Sequence, residues 1–192
     1  MEKTTFLNDI IRSRRSVFPP VYNDRKIDRA TIEEILENAN WAPTHALTEP
    51  WRFKVLQGGA LQRLSDYLGE YYVANTPADK FSDKKYEKMR KNPLRSACAI
   101  AIVMQRDPQN RVPEWEELAA VSCAVQNMQL SCHAHGIGCF WSSPKAALEA
   151  GEFLGLKEGQ SCLGFLYMGY SDAPQPEGKR EPVGDKVEWL ED

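Results

Sequence analysis

The chain has 192 residues, of which 27% are charged and 42% are hydrophobic. A domain of this size buries about 70% of the surface that its unfolded chain exposes, so the length suits a single domain over residues 1–192 with a substantial core. The 24 Lys and Arg residues do not outnumber the 27 Asp and Glu residues, and the net charge of −3 argues against general binding to nucleic acid.

A first helix is predicted from Leu7, Ile10 and Ile11, which recur at helical spacing ahead of Arg14. The pair Pro19-Pro20 follows and stops the helix. Because the apolar stripe runs directly into Arg14, we expect this side chain to point inward.

The arginines at the end of this helix have two interpretations. A cation near a helix C-terminus interacts favourably with the macrodipole, by roughly 0.3–1 kcal/mol, and this accounts for Arg12 and Arg15. Arg14 differs, because a guanidinium at the end of an apolar stripe is partly desolvated and needs an anion. Either an acidic side chain or a bound ligand can supply that anion.

The rest of the chain alternates helical and strand patterns. A second helix can begin at Asp28 or at Thr31, where Glu34 would complete a capping box. In chain order the pattern then predicts a loop over 41–51, a strand over 53–56, a helix over 60–72, a polar segment over 75–95, a strand over 97–104, a helix over about 114–134, a strand over 139–141, a helix opened by Pro144, a strand over 162–168, and a Pro-rich, charged tail over 171–192.

Two of these segments bear on architecture. The segment 97–104 is continuously apolar, which is typical of a strand covered on both faces. The segment 75–95 is polar and is interrupted by Pro77 and Pro93, so it is the best candidate for a mobile flap or excursion. Helices and strands interleave without repeats or a clear linker, which indicates an α/β or α+β domain with helices on both faces of one sheet.

The helix predicted over 114–134 is unusually apolar. It has small residues over 119–124, and charged residues disappear after Glu117. A helix that is apolar on nearly all sides must be buried on nearly all sides. In so short a chain the simplest cover is a second copy of the protein, so we expect a dimer whose interface includes this helix.

The five cysteines are scattered and lie mostly within apolar runs, which is typical of reduced, buried thiols. The segment Cys132-His133-Ala134-His135, followed by Cys139, is the one metal-like cluster, but it lacks paired CxxC spacing, so we expect packing or a non-metal site. The first residues have no long apolar segment with a cleavage site, and no stretch approaches the roughly 18 apolar residues of a spanning helix. We therefore expect a cytoplasmic protein without a membrane segment.

A second basic pair, Lys179-Arg180, lies in the predicted tail. Its simplest interpretation is a solvated surface loop. Two basic clusters far apart in sequence can also converge on one dianionic phosphate, for which the planar fork of arginine is well suited. Spacing alone leaves both interpretations open.

Several motifs in this order resemble the FMN-dependent nitroreductase family, and most closely its short, minimal bacterial NAD(P)H nitroreductases. The likeness covers about residues 5–183, and each motif is weak alone while five in order are specific. The motifs are Arg14-Arg15-Ser16, Ala42-Pro43-Thr44-His45 leading into Pro50-Trp51-Arg52-Phe53, the segment NPLRSA over 92–97, the segment RVPEWEE over 111–117, and the run 136–141.

This resemblance implies an α+β three-layer sandwich, in which a mostly antiparallel central sheet is flanked by helices, and a homodimer with FMN at its interface. It also implies site residues. The residues implied for FMN are Arg14, Arg15, Ser16, Trp41, His45, Trp141, Ser142, Ser143, Lys179 and Arg180, with Arg14 and Arg180 toward the phosphate. A looser correspondence implies a nicotinamide nucleotide site at Ser131, Cys132, His133, Ala134, His135 and Gly136.

The sequence departs from the family pattern at three positions. The lysine that larger members carry four residues beyond their first motif arginine is Phe18 here, so another cation or backbone N–H groups must support the reduced flavin. Trp41 stands where minimal members often have an arginine, and Glu49 stands where a glutamine is frequent. These changes leave FMN binding expected and the substrate open.

The family resemblance implies transfer of a hydride from NAD(P)H through FMN to a small electron-poor acceptor such as a nitroaromatic or a quinone, by a ping-pong cycle. A flavin carries this chemistry itself, which fits the lack of a recognisable catalytic triad or carboxylate pair. Two alternatives stay open. One is another flavin reaction of the same superfamily, such as reductive dehalogenation or oxygen-dependent chemistry, and the other is a non-catalytic flavin-binding regulatory protein.

Overall fold

The structure, a computed structural model, describes residues 2–175 and 177–191. The predicted single domain and its tail include positions 1, 176 and 192, which lie outside the described residues. Within the described ranges, the helices are α1 (Lys3–Ser13), α2 (Arg29–Asn40), α3 (Gly59–Asn75), α4 (Asp83–Leu94), α5 (Glu114–Ala134), α6 (Lys145–Leu148) and α7 (Gly151–Leu154). The strands are β1 (Trp51–Leu56), β2 (Cys98–Gln105), β3 (Ile137–Ser142) and β4 (Gln160–Tyr170).

The four strands form one sheet in the order β1-β2-β4-β3, and all three pairings are antiparallel. The continuous apolar run of β2 lies in the middle of this sheet, where all of its residues but the last are buried. Met168 of β4 pairs with Cys98 on one side and with Cys139 on the other, so the centre of the sheet is in register across three strands.

Helices cover both faces of the sheet. On one face, α2 and α5 pack against the sheet through one buried cluster, and on the other face α3, α6 and α7 pack through a second cluster. This confirms the predicted α+β class, the antiparallel sheet and the three layers. Of the described residues, none belongs to a helix that is both long enough and apolar enough to cross a membrane.

The helix ends follow ordinary capping chemistry. Asp28, the first of the two predicted starts of α2, is its N-cap, and its carboxylate accepts a hydrogen bond of 2.8 Å from the backbone N–H of Thr31. This contact satisfies one of the backbone donors that a helix N-terminus leaves unpaired. Helix α1 ends at Ser13 as expected, and Arg14 is its C-cap.

The polar segment 75–95 forms a single 3₁₀ turn and then helix α4, which sequence analysis did not predict. Ser82 is its N-cap, and Pro93 falls in its last turn, where the helix is already ending. An aromatic cluster of Tyr72, Phe81 and Tyr86 joins this segment to α3, with ring centroids 5.1 to 6.3 Å apart. The segment is therefore an excursion packed on the outside of α3, and movement of a flap over a site stays a prediction.

Two helices keep apolar surface uncovered in the single chain. No residue of α1 is buried, and Phe6 and Leu7 are about half exposed. Helix α5 exposes a stripe that includes Trp115 (67% exposed), Leu118 and Ala119, so in the single chain it is not buried on nearly all sides as predicted. Contiguous exposed apolar surface of this kind is typical of an interaction site.

A buried ion pair fixes the start of α5. Glu117 is 1% exposed, and its Oε2 pairs with the guanidinium of Arg106, which lies in the loop after β2. The other carboxylate oxygen, Oε1, accepts a hydrogen bond of 2.7 Å from the backbone N–H of Asp107. Glu117, the last acidic residue of α5, therefore ties the start of this helix to the loop that follows β2.

We predict that Glu117→Gln strongly destabilises the fold. The amide keeps the shape and the acceptor for Asp107 but leaves the guanidinium of Arg106 without its counter-charge. Breaking such a pair costs about 3–5 kcal/mol, and we expect the lower part of that range because the Arg106 side chain is 25% exposed.

Urea unfolding at constant protein concentration measures this cost. The matched control is Glu33→Gln, which breaks the exposed pair between Arg29 and Glu33 and should change the free energy of unfolding by about 0.5 kcal/mol or less. Equal losses in the two variants would show that Glu117 does not anchor the helix.

Candidate functional site

The end of α1, the end of α5, the start of β3 and the chain after β4 surround a cavity of about 190 Å³. Two cations of the predicted site, Arg14 and Arg15, line it together with His133. The remaining lining residues are Val17, Gln129, Gly136, Ile137, Gly138, Cys139, Ser171, Ala173 and Gln175. For brevity we call this space the arginine cavity.

The backbone after α1 is held against the edge of the sheet. Ser16 forms a parallel bridge with Cys139 of β3, and the backbone N–H of Val17 donates a hydrogen bond of 3.0 Å to the carbonyl of Cys139. Gly138 allows this close approach, since a Cβ there would lie 2.7 Å from Cβ of Val17. The two arginines therefore leave α1 from a fixed backbone.

Arg14 is half-buried, and within residues 2–175 and 177–191 no carboxylate forms an ion pair with it. Arg15 differs, because its guanidinium donates to the backbone carbonyls of Arg12 and Arg14 at 2.6 and 2.8 Å. The guanidinium of Arg15 also lies directly against Gly178 of the tail. The inward orientation predicted for Arg14 thus leaves a partly desolvated cation at the mouth of a cavity.

His133 joins this group from the last turn of α5. Its Nε2 is 2.7 Å from the hydroxyl of Ser13. Burial lowers the pKa of His133, and the positive charges of Arg14 and Arg15 lower it further, against a smaller opposing effect of Asp9. The imidazole is therefore mostly neutral at pH 7 while the two arginines are its neighbours.

The residues of the predicted nicotinamide stretch lie in different surroundings. Gly136 lines the arginine cavity with His133, and Cys132 is buried in the core. Ser131, Ala134 and His135 line a depression bordered by α1 and α2, where Nε2 of His135 lies 3.4 Å from the carboxylate of Glu34. A helix turns its successive side chains in different directions, which separates this stretch into three environments. A nicotinamide nucleotide site over the whole stretch stays a prediction.

His45 and Trp41 lie elsewhere. The imidazole of His45 contacts the carboxylate of Glu116 and borders a depression of about 280 Å³ that also includes Trp115 and Cys123. Trp41 is 79% exposed, and its indole N–H donates to Glu37 at 3.0 Å. Its role at FMN stays a prediction.

The segment Trp141-Ser142-Ser143 lies at the end of β3. The indole of Trp141 donates a hydrogen bond of 3.0 Å to the carbonyl of Leu163, and Gly164 leaves room for both strands, since a Cβ there would lie 2.7 Å from the indole nitrogen. Trp141 and Ser142 are half-buried and Ser143 is exposed. None of the three lines the arginine cavity.

The second basic pair, Lys179-Arg180, does not line the arginine cavity. Lys179 and Arg180 are exposed, and the Arg180 guanidinium donates to the carbonyl of Lys179 at 2.7 Å. Their neighbour Gly178 touches Arg15, so the tail does approach the arginine cavity.

The predicted flavin residues thus fall into groups at opposite ends of α5. His45 contacts Glu116 in its first turn, whereas Arg14 shares a cavity with His133 in its last turn. At a rise of about 1.5 Å per residue, these two places are about 25 Å apart along the helix. One chain does not bring them together.

Sequence reasoning missed several residues of the arginine cavity. Ser13, Gln129 and the segment 171–175 reach the site through the packing of α1 on α5 and through the path of the chain after β4. Ser13 stands directly before the arginines and could have been noticed. Gln129 lies one helical turn before His133, and its only signal was that spacing.

The comparisons with known proteins agree with this architecture. Residues 11–170 match the model of the nitroreductase family, and the chain therefore belongs to that family. YfhC of Bacillus subtilis, which is assigned by name to the NAD(P)H nitroreductases, is 32% identical over 189 residues, spanning 94% of this chain and 92% of its own. The resemblance inferred from the motifs is confirmed.

Solved structures give the same fold. The nitroreductase-like family protein from Bacillus cereus superposes with a TM-score of 0.81 at 29% identity and covers 100% of this chain and 99% of its own. The FMN-dependent nitroreductase NfnB from Mycobacterium smegmatis, solved in complex with NADPH, superposes with a TM-score of 0.78 and covers 99% and 100% of the two chains. At 16% identity, the second likeness concerns the fold alone.

Proposed function

We propose that the chain is an FMN-dependent oxidoreductase that uses NAD(P)H to reduce nitroaromatics, quinones or related electron-poor small molecules. The observation that carries this proposal is Arg14, a half-buried guanidinium at the arginine cavity with no carboxylate partner among the described residues. A phosphate monoester supplies the dianion that such a site lacks. The family and the names of its members support the choice of cofactor and donor.

The residues at the arginine cavity fit one end of FMN. A half-buried arginine, a second arginine and an imidazole suit a phosphate. Ser16, which follows Arg15 directly and is bridged to Cys139, is exposed and adds a hydroxyl close to the cavity. The cavity of about 190 Å³ is smaller than the roughly 300–1,000 Å³ of pockets that enclose a whole cofactor or drug-sized ligand. The single chain therefore holds the phosphate end, and the ring system extends beyond this cavity.

A second copy of the chain completes the site. FMN is shorter than the distance that separates Arg14 from His45, so the two residues cannot meet one cofactor within one chain. If α5 packs antiparallel against α5 of a partner across a two-fold axis, His45 of the partner subunit approaches the Arg14 end of the first chain. The exposed stripe of α5 and the uncovered apolar face of α1 supply the apolar contact that such a homodimer needs.

The chain's own groups then have simple tasks. When bound, FMN supplies the chemistry, accepting a hydride from NAD(P)H and passing it to the acceptor. Arg14 and Arg15 would hold the phosphate. The Ser16 segment, which is fixed to β3, would set the direction in which the rest of the cofactor extends from the cavity. NAD(P)H and the electron acceptor would bind to the flavin one after the other at the same place, which gives a ping-pong mechanism. We assign no obligatory acid or base to a side chain.

The function is tested by the visible spectrum of the purified protein under anaerobic conditions. We expect a yellow protein with bound FMN whose absorbance near the flavin maximum is lost on addition of NADH or NADPH and restored by a nitroaromatic or a quinone. A flavin that neither nucleotide reduces would exclude the nitroreductase assignment. Reduction without turnover of nitro compounds or quinones would favour another reaction of the same superfamily.

We predict that Arg14→Ala releases FMN while the fold persists. Loss of a charge-assisted contact to the phosphate costs about 1.5–3 kcal/mol, which is roughly a 10- to 150-fold weaker affinity. Quenching of FMN fluorescence measures it, with circular dichroism as the check on folding. Arg12→Ala is the matched control, because Arg12 is exposed in the same helical turn and does not line the cavity. If both variants retain FMN equally, these arginines are only a helix terminus.

We predict that Ala119→Arg prevents dimerisation. The side chain would place a charge in the middle of the exposed stripe of α5, where burial in an interface is costly. Sedimentation velocity at micromolar concentration should show a monomer that has lost most of its FMN. The control Ala74→Arg adds the same charge to an exposed position of α3 and should stay dimeric. A monomeric Ala119→Arg variant that keeps its FMN would contradict the composite site.

A further inference from the structure

The hydrogen bonds around His133 define which nitrogen of its ring carries the proton. The hydroxyl of Ser13 lies 2.6 Å from the backbone carbonyl of Asp9, which has no proton to give, so the hydroxyl donates its one proton there. The same oxygen lies 2.7 Å from Nε2 of His133 and must accept in that contact. The proton of the neutral ring is therefore on Nε2. Nδ1 carries the lone pair, and within the described residues it has no hydrogen-bond partner.

The charged and polar groups around the imidazole of His133 belong to three parts of the chain. From α1 and its C-cap come Asp9 and Arg14, and Arg15 follows directly after them. The other polar side chains of the cavity are uncharged: Gln129 of α5, and Ser171 and Gln175 of the chain after β4. Cys139 of β3 also lines the cavity, but its side chain is buried in the core with Cys132. Burial and the two arginines outweigh Asp9 and lower the pKa of His133. A neutral ring with an unpaired acceptor thus lines a cavity whose other charged groups are cations.

A phosphate in the same cavity reverses this balance. Burial and, after it, repulsion by the arginines lower the pKa of His133. The dianion adds two negative charges beside Arg14 and Arg15, so attraction replaces the repulsion and opposes the effect of burial. A neutral Nδ1 would also place its lone pair against phosphate oxygens, which only accept hydrogen bonds. A proton on Nδ1 turns this contact into a charge-assisted hydrogen bond.

We propose that His133 binds the phosphate of FMN as a cation, through a protonated Nδ1, so that one proton from solvent is taken up onto the ring when the cofactor binds. The inference rests on the proposed function, because it needs FMN at the arginine cavity. Ser13 positions the ring by accepting from Nε2. His133 therefore belongs to the phosphate site rather than to the nicotinamide site that its sequence position implies.

The pH dependence has a definite sign. Between the pKa of His133 in the free protein and its higher pKa in the complex, FMN affinity falls as pH rises, by up to about tenfold per pH unit. The phosphate of FMN loses its second proton near pH 6, as phosphate monoesters do, and this acts in the opposite direction if the dianion binds. The contribution of His133 is therefore the difference between the wild-type protein and a variant that cannot titrate at this position.

The variant is His133→Gln, whose side-chain amide keeps a polar partner for Ser13 but does not titrate. FMN is titrated into full-length wild-type and variant apoprotein from pH 5.5 to 8.5 by fluorescence quenching. Calorimetry at pH 6.5 in buffers of different ionisation enthalpy counts the protons taken up. The expected result is uptake of a large fraction of one proton by the wild-type protein beyond that of the variant, and a wild-type affinity that falls with pH relative to the variant's.

Three further measurements make the result specific. Riboflavin, which lacks the phosphate, should bind with no difference in proton uptake between the two proteins. Nitrogen-15 NMR of the imidazoles should show Nδ1 of His133 becoming protonated when FMN is added. The matched control is His135→Gln, at the C-cap of α5, where the ring faces Glu34 instead of the cavity. This variant should show the wild-type proton uptake.

The outcomes are distinguishable from failure of the proposed function itself. If neither protein binds FMN, the proposed function falls. If both bind FMN with equal proton uptake, or if riboflavin produces the same difference, the role of His133 is overturned while FMN binding stands. If the difference appears only when NADP⁺ is added to FMN-loaded protein, the phosphate belongs to the nicotinamide nucleotide and the assignment to FMN is overturned.

Discussion

A guanidinium that is partly withdrawn from water has to be neutralised, and in this protein the need falls on Arg14. Arg14 follows the apolar stripe of α1 directly. The bridge between Ser16 and Cys139 fixes the backbone beside Arg14 against the edge of the sheet. Glu116 and Glu117 pair with His45 and Arg106 at the far end of α5, and no carboxylate among the described residues forms an ion pair with Arg14. In the proposed function, the phosphate of the cofactor supplies the missing anion.

Helix α5 connects this electrostatic requirement to the assembly. Its inner face fills the core on one side of the sheet, its first turn is anchored by Glu117, and its last turn delivers His133 to the arginine cavity. Because the helix is about 30 Å long, the residues at its two ends cannot act on one small molecule in one chain. Helix α5 also exposes a stripe that includes Ala119 and Cys123. In the proposed homodimer this stripe packs against a second copy, which brings the residues of the two helix ends to one cofactor.

Much of the fold could be predicted from periodicity alone. The continuous apolar run of β2 predicts a strand in the middle of the sheet, and the structure confirms it. Asp28, one of two starts predicted for α2, is its N-cap. The apolar, small-residue pattern of α5 predicted the helix but not the stripe that it leaves exposed in the single chain. Helix α4 was missed because its charged sequence has little apolar pattern, and its aromatic contacts are made outside the helix, between Tyr86 and the rings of Tyr72 in α3 and Phe81. Local patterns do not report such tertiary contacts.

The candidate site was predictable only in part, for a similar reason. The arginines were conspicuous because a cation at the end of an apolar stripe is unusual. The partners around the cavity were not, because Ser13 and His133 are 120 positions apart and meet only after α1 packs on α5. Family resemblance placed His133 in a linear stretch, whereas a helix gives each of its residues a different neighbourhood. His135, two positions further on, faces α2 instead.

Phe18 stands where larger members of the family carry a lysine, so this position has no positive charge. Phe18 packs on Phe140 of β3, with ring centroids 4.4 Å apart, so this position contributes apolar contact and no charge. The arginine cavity gathers two cations, Arg14 and Arg15, and the neutral ring of His133. In the proposed function this chain therefore anchors the cofactor by its phosphate. Stabilisation of negative charge on the reduced ring then has to come from backbone N–H groups or from the partner subunit, which is a second reason for the site to need both copies.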